Sequence, residues 1–439
     1  MDFRSYFKGK KITVIGLGLL GGVGDIEYLA RAGADLIVTD LKSKKELKPS
    51  LDRLKKFKNI KYTLGIHSVA DFRNRDLIIK APSTPLDSPY IALAEKRKIP
   101  VTMWAALFSK FARQVGAKIV GVTGTRGKTT TTEMINAILV AAKKKVVVGG
   151  NVQGTSVLAN LSKLTRDTIV LLELDSWKLQ GFGDLKLSPN VAVFTTFYED
   201  HLNYYNSDVK KYFLDKANIF KYQKKGDILI AGKQVLPFIK KWGGKHHGKL
   251  ITPKQKIFNL SIPGEHNLYN ANLAAEAARR VGVKELVIEK ALNNFQGVPG
   301  RLEFVKEVRG VKYYNDTTAT TPEATSAALR ALGDQSRKRI ILIAGGSDKN
   351  LQLGNLAKDI KKYAKEVVLI PGDGTDRLVQ KLKVRSYKGK NLKDIVHKAK
   401  SLAGAGDIVL FSPAFTSFGM FQNEYDRGDK FITILKKLK

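Results

Sequence analysis

The stretch Gly121-Val-Thr-Gly-Thr-Arg-Gly-Lys-Thr-Thr-Thr-Thr-Glu133 decides how this chain is read. It follows the apolar run Lys118-Ile-Val-Gly-Val122 and opens into Met134-Ile-Asn-Ala-Ile-Leu-Val140, the order strand, glycine loop, helix. Glycines let backbone amides turn toward an anion, and the helix that follows offers its positive end. Lys128 is then placed to reach terminal phosphates, with the Thr129 hydroxyl on Mg²⁺. The spacing departs from the strict phosphate-loop pattern, because Val122 stands at the expected first glycine. The bland alternative is an ordinary glycine turn; the Gly127-Lys128-Thr129 ending favours a nucleoside triphosphate site.

Upstream, the buried-strand pattern Lys11-Ile-Thr-Val-Ile15 runs into Gly16-Leu-Gly18-Leu-Leu-Gly21, a G-x-G-x-x-G turn. A helical segment follows, then a second strand, Asp35-Leu-Ile-Val-Thr39, closed by Asp40. An acidic residue about 20 positions past such a turn is the dinucleotide fingerprint, although the turn itself suits any nucleotide diphosphate, NAD included. Downstream, strands at Thr168-Ile-Val-Leu-Leu172 and Val191-Ala-Val-Phe194 end in Glu173 and in Thr195-Thr-Phe-Tyr-Glu-Asp-His201. Ligand groups in such sheets gather at the carboxyl ends of strands, so a phosphate loop, a carboxylate and an acidic-histidine turn converge. A helix with Ser207 or Asp208 as N-cap carries Lys216, which periodicity alone reads as a surface lysine. Beyond Val298-Pro-Gly300, paired strands and then strand–helix units give a third sheet.

The chain has 439 residues, 43% of them hydrophobic, enough for more than one core. We therefore expect an α/β protein of three domains: Rossmann-like over 1–112, a phosphate-loop ATPase domain over 113–298, and a second Rossmann-like domain over 299–439. No apolar run approaches the roughly 18 residues that span a membrane, and the start lacks signal-peptide order. Zero cysteines remove disulfides and thiolate metal sites and agree with a cytoplasmic location. Lysine and arginine number 76 against 40 acids, a net charge of +36. The lysines are spread along the whole chain, without zinc-finger spacing or an RNA-binding aromatic signature, so no specific nucleic-acid partner is expected. A monomer is the default expectation, while the sequence itself leaves oligomeric state open.

This order of parts resembles the Mur ligases of peptidoglycan precursor synthesis, over the whole length. Five stretches carry the resemblance: Gly16-Leu-Gly-Leu19; Leu172-Glu-Leu-Asp-Ser176; Glu199-Asp-His201 with Lys216 fifteen residues on; Gly264-Glu-His-Asn267; and Ser412-Pro-Ala414 leading to Arg427-Gly428. The resemblance implies an ATP-dependent, ADP-forming ligase that adds D-glutamate to UDP-N-acetylmuramoyl-L-alanine through an acyl phosphate. By position it assigns the UDP-sugar to Gly16, Leu19, Leu20, Asp40, Ser83 and Asn151. It assigns ATP to Gly124, Thr125, Arg126, Gly127, Lys128, Thr129, Thr130, Asn267, Asn270, Arg301 and Asp316. Two Mg²⁺ ions fall to Thr129, Glu173, His201 and Lys216, the last as a carbamate, which reverses the surface reading of that lysine. Catalysis falls to Lys128, Glu173, His201 and Lys216, and glutamate to Thr320, Lys349 and Ser417.

Departures keep alternatives open. Thr318 follows Asp316-Thr317 where the family commonly has lysine, Asp175 replaces a usual serine, and Ser83 a usual glycine. Thr320-Thr-Pro-Glu323 is similar to the stretch of a sister ligase that adds L-glutamate. Folylpolyglutamate-type relatives usually lack the first domain. A non-catalytic nucleotide-sugar or nucleic-acid binding protein on the same scaffold is the alternative from a different class.

Overall fold

Three parallel-rich sheets follow one another along the chain in the computed structural model, which describes residues 2–438 apart from 19–21, 150–155, 383–385 and 418. The first contains β1 (Lys11–Ile15), β2 (Asp35–Asp40), β3 (Ile60–Leu64), β4 (Leu77–Ile79) and β5 (Val101–Thr102) in the order β3-β2-β1-β4-β5. All neighbours are parallel, and Ile12, Val14, Leu36, Val38 and Ile79 have no exposure, as expected of strands covered on both faces. The chain lays β1 to β3 outward on one side and returns with β4 on the other. The crevice therefore lies between the carboxyl ends of β1 and β4.

The second sheet has β6 (Lys118–Thr123), β7 (Val146–Gly149), β8 (Ile169–Glu173), β9 (Val191–Phe194), β10 (Ile228–Ala231) and β11 (Lys249–Ile251), in the order β11-β10-β9-β6-β8-β7. Its central strand β6 is flanked by β8 and β9, so whatever follows these three strands meets at one edge. The third sheet holds β12 (Glu303–Val308), β13 (Val311–Asn315), β14 (Ile340–Gly345), β15 (Ala364–Ile370), β16 (Ser386–Lys388) and β17 (Ile408–Phe411). Here β12 is antiparallel to β13, and β17 slots between β13 and β14.

The residues cluster into two compact units, 1–256 with 270–291 and 257–269 with 292–439. The first two sheets share the first unit; the helix Trp104–Gln114 runs through the boundary expected at 112. Among the described residues no helix is long and apolar enough to cross a membrane.

Candidate active site

Gly124 follows β6 with φ +152°, and Gly127 stands at φ +84° directly before the helix Lys128–Ala141. A side chain at Gly127 would meet Asn270 Oδ1 at 2.5 Å, so Asn270 lies directly against the loop. The segment after β9 backs the same loop. Thr195 Oγ1 lies 2.5 Å from Arg126 O and 3.1 Å from Thr123 O, and Thr125 N donates to Thr196 O (2.8 Å). Arg126 N donates to Thr196 Oγ1 (2.9 Å), and its guanidinium pairs with buried Asp200 at 3.3 Å.

Two lysines converge on one carbonyl. Lys128 Nζ donates to Gly124 O (3.0 Å) and Thr125 O (3.3 Å), and Lys216 Nζ donates to the same Gly124 O (3.0 Å). Lys216 lies on the helix Val209–Lys221, capped by Asp208, and is buried over the Tyr212 ring. Burial, and next the Lys128 ammonium, hold its pKa well below the usual lysine value against the opposing pull of Asp175 and Asp200. The surface placement read from periodicity is thus corrected. Tyr212, Phe213, Ala217, Ile219 and Phe220 form the buried face with Lys216, while Leu214 is exposed.

Thr129 Oγ1 donates to Glu173 Oε1 (3.1 Å) at the end of β8, so a hydroxyl and a carboxylate oxygen stand together at the strand ends. These hard oxygens suit Mg²⁺, which takes only one or two protein ligands and completes its shell with water and phosphate. Among the described residues no three His, Cys, Asp or Glu side chains group as a metal cage. His201 takes φ +55° and lies with its ring 4.7 Å from Trp177. Asp175 caps the helix Ser176–Asp184 and pairs with Lys178 at 2.9 Å. Burial raises its pKa, but Lys178 and then Lys128 outweigh burial and leave the acid below its ordinary value.

In the first sheet the turn after β1 meets the loop after β4: a side chain at Gly16 would come within 2.8 Å of Ala81 Cβ. Asp40, at the end of β2, holds the glycine turn after β1. Its Oδ2 accepts from Leu17 N (2.9 Å) and Gly18 N (3.3 Å), and Oδ1 from Lys42 N (2.9 Å), so the carboxylate fixes the turn. Ser83 is exposed, beside Thr84, whose carbonyl accepts from Tyr204 Oη (2.9 Å). Leu19, Leu20 and Asn151 lie outside the described residues.

The third sheet brings together the loops after β13, β14 and β17. Asp316 Oδ2 accepts from Ser412 Oγ (2.7 Å) and Oδ1 from Leu302 N (3.0 Å). An antiparallel bridge joins Ser347 to Thr416, tying the loop that carries Lys349 to the one that carries Ser417. Ala414 N donates to Ala319 O (2.9 Å), which ties in the loop of Thr320. Thr318 Oγ1 donates to Gly300 O (2.8 Å), and Asn267 Nδ2 to Pro263 O (2.7 Å). Sequence reasoning gave no role to Asp200, Trp177 or Tyr212; Asp200 stood inside the quoted Glu199-Asp-His201 turn and was legible there.

Burial raises Asp316 to about 7. The unfolded carboxyl ionises near 3.9, so between about pH 4 and 7 the unfolded chain binds fewer protons than the folded one. Stability therefore falls as pH rises through that window and levels off above it. Asp316→Asn should remove this component, and urea unfolding of both proteins from pH 4 to 8 measures it. Parallel curves would refute the buried, protonated acid.

A phosphate loop opposed by a strand-end carboxylate, with a glycine-turn sheet before it and a third sheet after it, defines a multidomain α/β nucleotide-binding protein. Family models match in that order: "Mur ligase MurD-like, N-terminal domain" over 10–103, "Mur ligase middle domain" over 122–256 and "Mur ligase, glutamate ligase domain" over 300–415. The chain belongs to the Mur ligase family. It is 35% identical to a UDP-N-acetylmuramoylalanine--D-glutamate ligase from a Roseiflexus species, with 98% of each chain covered. The enzyme of the same name from Clostridium perfringens is 32% identical, over 100% of this chain and 99% of the relative. Among solved structures, UDP-N-acetylmuramate-alanine ligase MurC of Thermotoga maritima aligns with TM-score 0.62 and 20% identity, over 98% of this chain and 100% of the other. MurF ligase of the same organism in complex with ADP aligns with TM-score 0.60 and 15% identity, over 100% and 99%. These two likenesses concern the fold alone.

Proposed function

We propose that the protein is an ATP-dependent ligase that joins D-glutamate to UDP-N-acetylmuramoyl-L-alanine and releases ADP and phosphate. The chemistry is carried by one observation: Lys128 and Lys216 meet at Gly124 O beside the Thr129–Glu173 pair. The choice of substrate is supported by full-length likeness to ligases of that name. The expected domains 1–112, 113–298 and 299–439 then hold the sugar nucleotide, ATP and the amino acid, in a cytoplasmic monomer.

In this proposal the L-alanyl carboxylate attacks the ATP γ-phosphorus, the bond to ADP breaks, and an acyl phosphate forms. The glutamate amine then adds to the acyl carbon and phosphate leaves, with the amine proton lost to solvent. Lys128 leaves the loop carbonyls to meet the transferring phosphoryl group, and the loop amides orient it. Thr129 and Glu173 would hold one Mg²⁺ and His201 and Lys216 a second, and the ions would supply charge neutralisation for the phosphates. Lys216, buried and with its pKa held well below the usual lysine value by burial and the Lys128 charge, would in its neutral form add through nitrogen to CO₂ and lose a proton, which turns an amine into an oxygen donor. Asn270 and Thr130 line the loop side of the nucleotide, Asn267, Arg301 and Asp316 are assigned to ATP by the family resemblance, and Gly16, Asp40, Ser83 and Asn151 to the UDP-sugar. Thr320, Lys349 and Ser417 hold the glutamate.

The test is phosphate release from ATP and Mg²⁺ with UDP-N-acetylmuramoyl-L-alanine, with D- or L-glutamate added in parallel. Release should require D-glutamate. Release with L-glutamate alone would move the protein to the sister activity and implicate the threonine-rich loop after Asp316.

A further inference from the structure

Arg427 has no exposed surface, yet the described residues give its guanidinium no carboxylate ion pair. Nε donates to Thr317 Oγ1 (3.2 Å), Nη1 to Phe415 O (3.2 Å) and Nη2 to Thr317 O (2.7 Å), all neutral oxygens. The residue also stands in the first turn of the helix Glu424–Lys436, the end where a cation is disfavoured. Buried charges are ordinarily paired, because an uncompensated one is strongly unfavourable. Glu424 and Asp316 act on it only through space, and the Asp316 oxygens are committed to Ser412 and Leu302. Burial lowers Arg427 to about 10, which leaves it charged at neutral pH.

The three bonds join two loops. Thr317 opens the loop after β13 that reaches Thr320, and Phe415 lies two residues before Ser417. Packing is tight at the junction: a side chain at Gly428 would meet Thr317 Cγ2 at 2.6 Å. Where the family commonly places a lysine after Asp316-Thr317, Thr318 here is turned to the Gly300 carbonyl, so that position supplies no cation to the loop. We propose that Arg427 is a positioning residue for an acidic amino-acid substrate. It fixes the Thr320 and Ser417 loops against each other, and its buried charge keeps their tips positive, so that the incoming dicarboxylate serves as the missing counter-ion. The proposal rests on the assignment of glutamate to these loops and deepens it.

Arg427→Lys keeps the charge and loses the planar fork; Arg427→Met loses both. The KM for glutamate should rise about tenfold in the first and about a hundredfold in the second, with the KM values for ATP and the nucleotide-sugar unchanged and kcat within about threefold. Ser417→Ala and Thr320→Ala test the underlying assignment. If neither raises the KM for glutamate, the glutamate site lies elsewhere. If they do while both Arg427 variants keep the wild-type KM, or lose all three substrates in step with melting temperature, Arg427 is structural only and the proposal fails. Should Arg427→Met not fold, Arg427→Lys alone decides, and a wild-type KM for glutamate in it overturns the proposal.

Discussion

Lys216→Met should reduce phosphate release by about a thousandfold or more, the scale on which single preorganised groups act in such sites, while nucleotide-sugar binding stays at its wild-type level. The side chain is buried, its amine donates to a single carbonyl, and it lies among Tyr212, Phe213 and Ile219. A surface lysine would show neither effect. Methionine has similar length and no charge, so the fold should melt no earlier than the wild type, because an apolar chain replaces a desolvated amine. Binding is followed by calorimetry with UDP-N-acetylmuramoyl-L-alanine. A parallel fall of binding and turnover would remove Lys216 from the chemistry and make it a packing residue. ¹³C NMR in labelled bicarbonate should show a carbamate carbon in the wild type and none in Lys216→Met.

Gly124→Ala is the second severe substitution. The new carbon would sit 2.0 Å from Thr195 Oγ1 and 2.9 Å from Thr196 N, on a backbone with φ +152° that side chains rarely adopt. The Thr195 hydroxyl cannot yield without releasing Arg126 O and Thr123 O, so the loop shifts away from the segment that backs it. Displacement of about 1 Å in a positioning element costs on the order of a hundredfold in kcat/KM, which is the expected loss for ATP. The nucleotide-sugar should bind as before, since the first sheet is untouched. Gly124→Ala combined with Thr195→Ala should recover part of the loss, because the nearest obstruction is gone. Additive losses would place the cause in backbone conformation rather than in that contact.

Much of this was legible because parallel sheets expose their logic in the sequence. The buried apolar runs ending at Ile15 and Leu172 pass directly into Gly16 and Glu173, and strand ends are where an open sheet collects its ligands. What stayed hidden was the direction of side chains. Periodicity alone reads Lys216 as a surface lysine, yet Tyr212, Phe213 and Ile219 share its face at helical spacing and are buried with it. Asp40 sat at the distance expected of a ribose acceptor, and spacing does not show that its carboxylate also accepts the amides of the glycine turn after β1. Arg427 was quoted as part of a stretch, but nothing in a sequence marks an arginine whose acceptors are all neutral.

The Ser347–Thr416 bridge has a bearing on redesign. It makes the loops after β14 and β17 a single mechanical piece, since each supplies the other's backbone partner: Ser347 N donates to Thr416 O (3.2 Å) and Thr416 N to Ser347 O (3.1 Å). A side chain at Gly346 would press on Thr416 O at 2.4 Å, so neither loop can be reshaped while the other keeps its course. Exchange of one loop with a relative of different amino-acid preference would therefore yield a broken seam rather than a new preference. The two loops have to be grafted together, as a cassette.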